Sequence, residues 1–208
     1  MSDIIWGIGL GRSNAEAEMK KRLKKKNLKK REVPIVELEG IEITESSLKV
    51  TIKNIDTPPA KIESIYLWKV LKTPKVTVKK GFLRKKVEVV VREDISRNVN
   101  PEFFTVFPEK SFTFTIDTTM PLEAETDYML ELHMGEHKEI QYAEWGEEFL
   151  ATYLIGWAYL LHFNGKEFEH KAVMSLEQAG LFWGKLIAKA KGKPRKIDNI
   201  YMSLHLVP

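Results

Sequence analysis

The sequence predicts a mainly β protein, an antiparallel β-sandwich with added segments at both ends. Three observations carry this. Apolar residues recur with a period of two from Val33 to about Tyr142, the pattern of half-buried strands. Turn signals interrupt the pattern at short intervals, at Asn54 with Pro58-Pro59, Lys80-Gly81, Asn100-Pro101, Pro108 and Gly135, as expected of a sandwich. A helical period is confined to the two ends of the chain.

Taken in order, residues 1–14 are glycine-rich (Gly7, Gly9, Gly11) and hold the apolar Ile4, Ile5, Trp6, Ile8 and Leu10. This leader is costly to leave in water and is expected to dock as an apolar plug. Ala15–Glu32 are good helix formers, with Asn14 placed to cap and Glu16 and Glu18 in the first turns, suited to the positive end of the helix dipole. Met19, Leu23 and Leu28 are too few for a core face, so this arm needs a partner. Pro34 ends it. Leu48, Val50 and Ile52, then Phe112, Phe114 and Ile116, then Tyr128, Leu130, Leu132 and Met134 mark buried strand faces. Met129, Glu131 and His133 fall on the opposite, solvent-facing side.

The last third differs. Phe149–Phe163 and Lys166–Met174 read as a hairpin turning on Asn164-Gly165, a strong two-residue turn signal. A buried helix closed by Gly165 is the competing reading of Phe149–His162. Ser175 caps a helix to Lys191 with Leu176, Ala179, Gly180, Trp183, Leu186 and Ile187 as its apolar stripe, stopped by Gly192 and Pro194. Ile200, Met202, Leu204 and Leu206 alternate into a final strand. The expected organisation is a leader and basic helical arm at 1–32, a β-sandwich at 33–143, and a C-terminal ββαβ element at 144–208 packed on the sandwich.

SLKVTIKNIDTPPAKIESIYL (Ser47–Leu67) resembles the early strands of immunoglobulin-like or CARDB-type adhesion sandwiches. FPEKSFTFTIDTTMPLEAETDYMLEL (Phe107–Leu132) resembles their late strands. Thr126-Asp127-Tyr128 opens a strand where the tyrosine corner of such domains sits, without its Asp-x-Tyr spacing. The resemblance covers about half of the chain. It implies an immunoglobulin-like antiparallel β-sandwich, a fold that usually serves binding or assembly.

Composition narrows the class. The chain has 208 residues, 43% hydrophobic and 30% charged, as in soluble globular proteins. It has no cysteine, which excludes disulfides and Cys-ligated zinc. Glutamine occurs only at Gln141 and Gln178 while Lys and Glu abound, a bias of hyperthermophile proteins. The longest uncharged apolar run, Phe149–Phe163, is short of the roughly 20 residues of a membrane-spanning helix. The cations follow the apolar leader instead of preceding it, the wrong order for a secretory signal. An intracellular origin without a transmembrane segment is expected.

Charge is segregated. Lys20, Lys21, Arg22, Lys24, Lys25, Lys26, Lys29, Lys30 and Arg31 form a run with no acid, although the whole chain carries only +4. Packed like charges repel unless a partner neutralises them. Phosphates would do so, as would an acidic protein surface, and a solvated helix of the thermophile kind is the third reading. A second basic patch, Lys79, Lys80, Phe82, Leu83, Arg84, Lys85 and Lys86, reads as a hairpin tip, suited to a nucleic-acid backbone with a stacked base or to an anionic membrane surface. A solvated tip is the plainer reading. Between Pro121 and Glu148 lie Glu123, Glu125, Asp127, Glu131, Glu136, Glu139, Glu144, Glu147 and Glu148 against Lys138 alone. This acidic segment is the expected partner surface for the arm of a neighbouring subunit.

Catalytic signals are weak. His133-Met-Gly-Glu136-His137 matches H-x-x-E-H, but zinc chemistry needs both histidines on one helical face and this segment alternates as a strand. The glycines of the leader have neither dinucleotide-binding nor P-loop spacing. His162 is expected opposite Glu167, and His170 opposite Tyr159, bringing no two histidines together. No catalytic residue, metal ligand or cofactor is assigned.

The plan of a sandwich with a basic arm resembles that of virion structural proteins of archaeal viruses. The expected function is a non-enzymatic subunit of a virion shell or similar assembly, located in the virion or host cytoplasm. Its partners are copies of itself or other assembly subunits, with DNA or RNA as a further partner of the arm. The alternative is a cellular nucleic-acid- or ribosome-associated protein, and a metal-dependent hydrolase comes third.

Overall fold

A computed structural model describes residues 33–80, 85–142 and 148–192. They form eleven strands and one helix: β1 (Val36–Ile43), β2 (Ser47–Asn54), β3 (Ala60–Ile62), β4 (Ser64–Lys80), β5 (Lys85–Asp94), β6 (Ser96–Asn100), β7 (Phe104–Val106), β8 (Ser111–Thr118), β9 (Thr126–Tyr142), β10 (Glu148–Phe163), β11 (Phe168–Ser175) and α1 (Leu176–Ala190). The first sheet has the order β1-β2-β8-β6, the second β11-β10-β9-β4-β5, and β3 pairs with β7. Neighbouring strands are antiparallel throughout. The arm and leader of residues 1–32 and the final strand expected at Ile200–Leu206 lie outside the described residues.

The period-two pattern places the core between the two sheets. Leu48, Val50, Ile52, Phe114 and Ile116 of the first sheet pack on Leu67, Tyr128, Leu130, Leu132, Tyr159 and Leu161 of the second. Each is nearly or fully excluded from water, worth about 1.5–3 kcal/mol per large apolar side chain. Polar groups pin the edges of this core. The Tyr128 hydroxyl accepts from Glu123 N at 2.8 Å, tying the start of β9 to the chain five residues upstream. Tyr159 donates its hydroxyl to Val36 O, and Trp157 Nε1 donates to Pro34 O at 2.8 Å, so β10 anchors the entry to β1. Buried Asn54 donates to Pro58 O and Val106 O and accepts from Asp56 N, organising the turn that follows β2.

The C-terminal strands continue the second sheet. β10 runs antiparallel to β9 from Glu148 opposite Tyr142 to Phe163 opposite Thr126. β10 and β11 are therefore strands of the second sheet. Phe149–Phe163 is strand, because Tyr159, Leu161 and Phe163 alternate into the inter-sheet core. The β10–β11 turn is wider than Asn-Gly alone implies. The Asn164 carboxamide accepts from Lys166 N and Glu167 N, both at 3.0 Å, and holds a four-residue connection. His162 consequently faces Glu169 instead of Glu167, and His170 faces Leu161 instead of Tyr159.

A second core lies on the outer face of the second sheet. α1 begins at Ser175, whose hydroxyl accepts from Gln178 N at 3.2 Å while the Gln178 carboxamide accepts from Ser175 N at 3.0 Å, a reciprocal capping box. Its stripe of Leu176, Ala179 and Trp183 covers Val89, Val91, Met129 and Ala158. β9 is thus buried on both faces. Met129 and Glu131, expected toward solvent, lie beneath the helix at 0% and 6% exposure.

Candidate functional site

Glu131 sits at the middle of β9 under α1, and four elements converge on its carboxylate. Trp68 of β4 donates Nε1 to Oε2 at 2.9 Å. Trp183 of α1 donates Nε1 to Oε1 at 3.1 Å. His133 Nε2 lies 3.3 Å from Oε2, and Arg92 of β5 places Nη1 3.5 Å from Oε1. At that distance the arginine acts more as a charge than as a hydrogen-bond donor. Its guanidinium stacks 4.0 Å from the Trp68 ring centre and 5.0 Å from that of Trp183, a cation–π sandwich. Tyr66 stacks on Trp68 and meets the edge of His133.

Burial pushes the Glu131 carboxyl up, but the hydrogen bonds of His133 and Trp183 and the charge of Arg92 outweigh it and hold the group below the usual range. Burial also lowers the Arg92 value, against the pull of Glu131 and Asp94. Glu131 is therefore an ionised carboxylate whose two oxygens are already engaged and covered. It joins β4, β5, β9 and α1 and works as a structural pin. The sequence groups Glu131 with an acidic partner surface; in the structure the residue is 6% exposed. Trp183 on the helix stripe and Trp68 in β4 were the available signal, since buried indoles need an acceptor.

The other acids of that segment are distributed differently. Glu123 pairs with Lys69, and that hydrogen bond and charge hold it low. Asp127 meets His162 Nδ1 and Lys171 Nζ, each at 2.7 Å. Burial raises it, but these two partners bring it below the usual range. Glu125 lies 3.5 Å from His162 Nε2, and Glu136 lies 3.5 Å from Lys138. Glu139 and Glu148 are on β9 and β10, while Glu144 and Glu147 lie outside the described residues. His133 and His137 are on a strand and not a helix, with His137 stacked near Tyr153. Among the described residues no group of three or more His, Asp or Glu could hold a metal.

The basic residues occupy a projecting ribbon. β4 pairs with β9 only from Ser64 opposite His133 to Lys69 opposite Tyr128. Beyond that, β4 runs on with β5 alone, to Lys79 opposite Lys86 and Lys80 opposite Lys85. Phe82, Leu83 and Arg84 lie outside the described residues, as does the arm from Lys20 to Arg31. Val76, Val78 and Val87 on this ribbon are 51%, 52% and 39% exposed. Cross-strand pairing sets them on the face of Val89, so they continue the apolar surface that α1 covers. At the opposite end of the sheet, β9 beyond His133 and β10 before Gly156 form a second ribbon, with Ile140 exposed. A shallow open groove of about 230 Å³ is lined by Ile43, Thr44, Glu45, Ser47, Leu48, Thr118, Pro121, Leu122, Phe163 and Gly165. Among the described residues no helix is long and apolar enough to cross a membrane.

No protein family matches this chain, and no curated protein matches it. Among solved structures it is similar to the archaellum periplasmic stator protein FlaG from Sulfolobus acidocaldarius, at 7% identity and a TM-score of 0.30, over 58% of this chain and 100% of that one. It is also similar to the archaeal flagellum of Methanospirillum hungatei strain JF1, at 13% identity and a TM-score of 0.35, over 76% of this chain and 85% of that one. Overlaps this loose carry no role across.

Proposed function

We propose that this chain is a non-enzymatic structural subunit that assembles with copies of itself or with other subunits. The observation that carries the reading is the β4–β5 ribbon. A two-stranded ribbon alone in water is marginal, and this one presents Val76, Val78 and Val87 to solvent as an extension of a core face. Apolar surface of this kind on a projecting element is characteristic of a contact surface. The buried carboxylate of Glu131, already spoken for on both oxygens, supports a scaffolding role over a catalytic one.

The strand order supports an immunoglobulin-like sandwich. β1-β2-β8-β6 facing β10-β9-β4 follows the order of the two sheets of that fold, with β5, β11 and α1 as additions. The virion expected from the plan of the sequence broadens here to any repeating shell or filament, because nothing in the described surface is particular to one that encloses a genome. The basic arm Lys20–Arg31 serves contacts between subunits in this reading.

A second reading, nucleic-acid binding, is favoured by one observation. The backbone register brings Lys79 opposite Lys86 and Lys80 opposite Lys85, and a lysine-rich ribbon suits a phosphate backbone. Light scattering on nuclease-treated protein separates the two. Assembly predicts a defined oligomer or polymer from full-length chain without nucleic acid. A monomer that binds DNA or RNA with steep salt dependence would transfer the reading to nucleic acid. A chain beginning at Val33, measured alongside, reports whether the arm is needed.

A further inference from the structure

The outer face of the first sheet is ordered in cross-strand pairs. Leu38, Ile41 and Ile43 of β1 and Leu48, Val50 and Ile52 of β2 turn into the core, so their neighbours face outward. There Glu37 lies opposite Lys53, Gly40 opposite Thr51, and Glu42 opposite Lys49. β1 holds acids and no base, while β2 holds bases and no acid. Ile55 N donates to Ile35 O at 3.0 Å, which carries the ladder one pair further. These two isoleucines flank buried Val36 and Asn54 and are 47% and 45% exposed. Gly40 is out of place in its own chain. Glycine weakens a strand and marks the close approach of another backbone. A Cβ at Gly40 would meet nothing within 4 Å, and its φ is open to any residue, so the bulge beside Leu38 does not require a glycine.

We infer that two copies pack face to face through β1 and β2, about a two-fold axis that runs between these strands and parallel to them. Such an axis lays β1 of each copy over the partner's β2 and keeps the level along the strand. Each residue then meets the partner's copy of the residue it already pairs with. Glu37 meets the partner's Lys53, Glu42 the partner's Lys49, Gly40 the partner's Thr51, and Ile35 the partner's Ile55. Charge selects this axis. One running along β2 sets Lys49 and Lys53 on their own copies, one along β1 does so with Glu37 and Glu42, and like charges in contact repel. Glu42 and Lys49 pair at 3.1 Å within the chain, yet both side chains stay more than half exposed and can join a four-membered network across the contact. The isoleucines supply apolar contact that screened charge lacks. The inference rests on the assembly reading and adds a contact on the sheet opposite the β4–β5 ribbon. It is isologous and closes at two copies, so growth beyond a dimer falls to the ribbon. Two strands of eight residues make a small interface, and the dimer is expected to dissociate on dilution.

Charge reversal tests this. Glu37→Lys and Lys53→Glu each set like charges across the contact, at one exposed and one half-buried position, and circular dichroism checks that the fold is kept. At a concentration where the native chain is at least a dimer, light scattering is expected to show each variant at half the native mass or less. An equal mixture of the two is expected to recover the native mass, because the reversed charges then face each other. Mixing cannot repair a pair within one chain, so recovery reports a contact between copies. Gly40→Arg fills space that is open in the single chain and is expected to lower the mass in the same way. Native mass in either charge variant, or a mixture that stays at the variants' mass, overturns this contact and leaves the assembly reading standing. A native chain that is monomeric at every concentration overturns that reading, and this contact with it.

Discussion

At the scale of single residues, Glu131 has the largest consequence. It is a carboxylate on a strand, read from its neighbours as solvent-facing, yet it is covered by α1 and bonded by two indoles. Replacing one member of a buried charged group strands the other. Glu131→Gln is expected to cost about 3 kcal/mol in urea unfolding, because Arg92 keeps its charge between two rings. Acid should act on the same group. Glu131 and Asp127 both titrate lower in the folded chain than in the unfolded one, so the unfolded chain takes up protons first as pH falls. Their contribution is full at neutral pH and is lost below about pH 5. Urea midpoints measured from pH 7 to pH 3 should fall along that limb, and less so in Glu131→Gln. Gly156 makes a different demand. Its φ is +152°, and a Cβ there would meet Leu132 O at 2.0 Å and Leu176 Cδ1 at 2.9 Å. Gly156→Ala is expected to destabilise by about 3 kcal/mol through overpacking and backbone strain, read as a drop in thermal midpoint.

At the scale of elements, α1 determines which strand faces are wet. Its N-cap was legible in Ser175, and its stripe in Leu176, Ala179 and Trp183, because both depend on spacing along one segment; the return bond from Gln178 was not read. Ser175→Ala should remove the cap and cost about 1 kcal/mol, seen as an earlier urea midpoint with the β signal intact. The hairpin of β10 and β11 was legible in its strands but not in its register. Asn-Gly signals a two-residue turn, and the Asn164 side chain instead captures two backbone amides and widens it. Sequence spacing cannot report that choice, since the same residues satisfy both turns and the sheet register selects between them.

At the scale of the whole molecule, the second sheet is staggered, with a ribbon projecting from each end. If copies associate through charged surface, salt should weaken the contact. Light-scattering mass at fixed protein concentration is expected to fall as ionic strength rises from about 0.05 M to 0.5 M, as the Debye length shrinks from over 10 Å to under 5 Å. A mass insensitive to salt would assign the contact to apolar surface alone. The candidate surfaces were partly legible: the lysines around residue 80 and the acids after residue 121 stand out by composition. Their arrangement was not, because it depends on how far β4 and β9 overlap, and nothing local encodes a stagger between strands about 60 residues apart.

What the chain determined locally was its periods, its turns and its caps, since each follows from side chains a few positions apart. Mainly antiparallel β structure, the inward-facing residues of β2, β8 and β9, and a Ser175-capped helix all follow from those. The tertiary structure alone decided that β10 and β11 join β9 in the second sheet, that the outer face of β9 beneath α1 is dry, and that Glu131 is a pin while Glu136 is exposed. These two glutamates are the same residue type, five positions apart on one strand. Only the helix lying over one of them, brought there by packing across the sheet, makes their chemistry different.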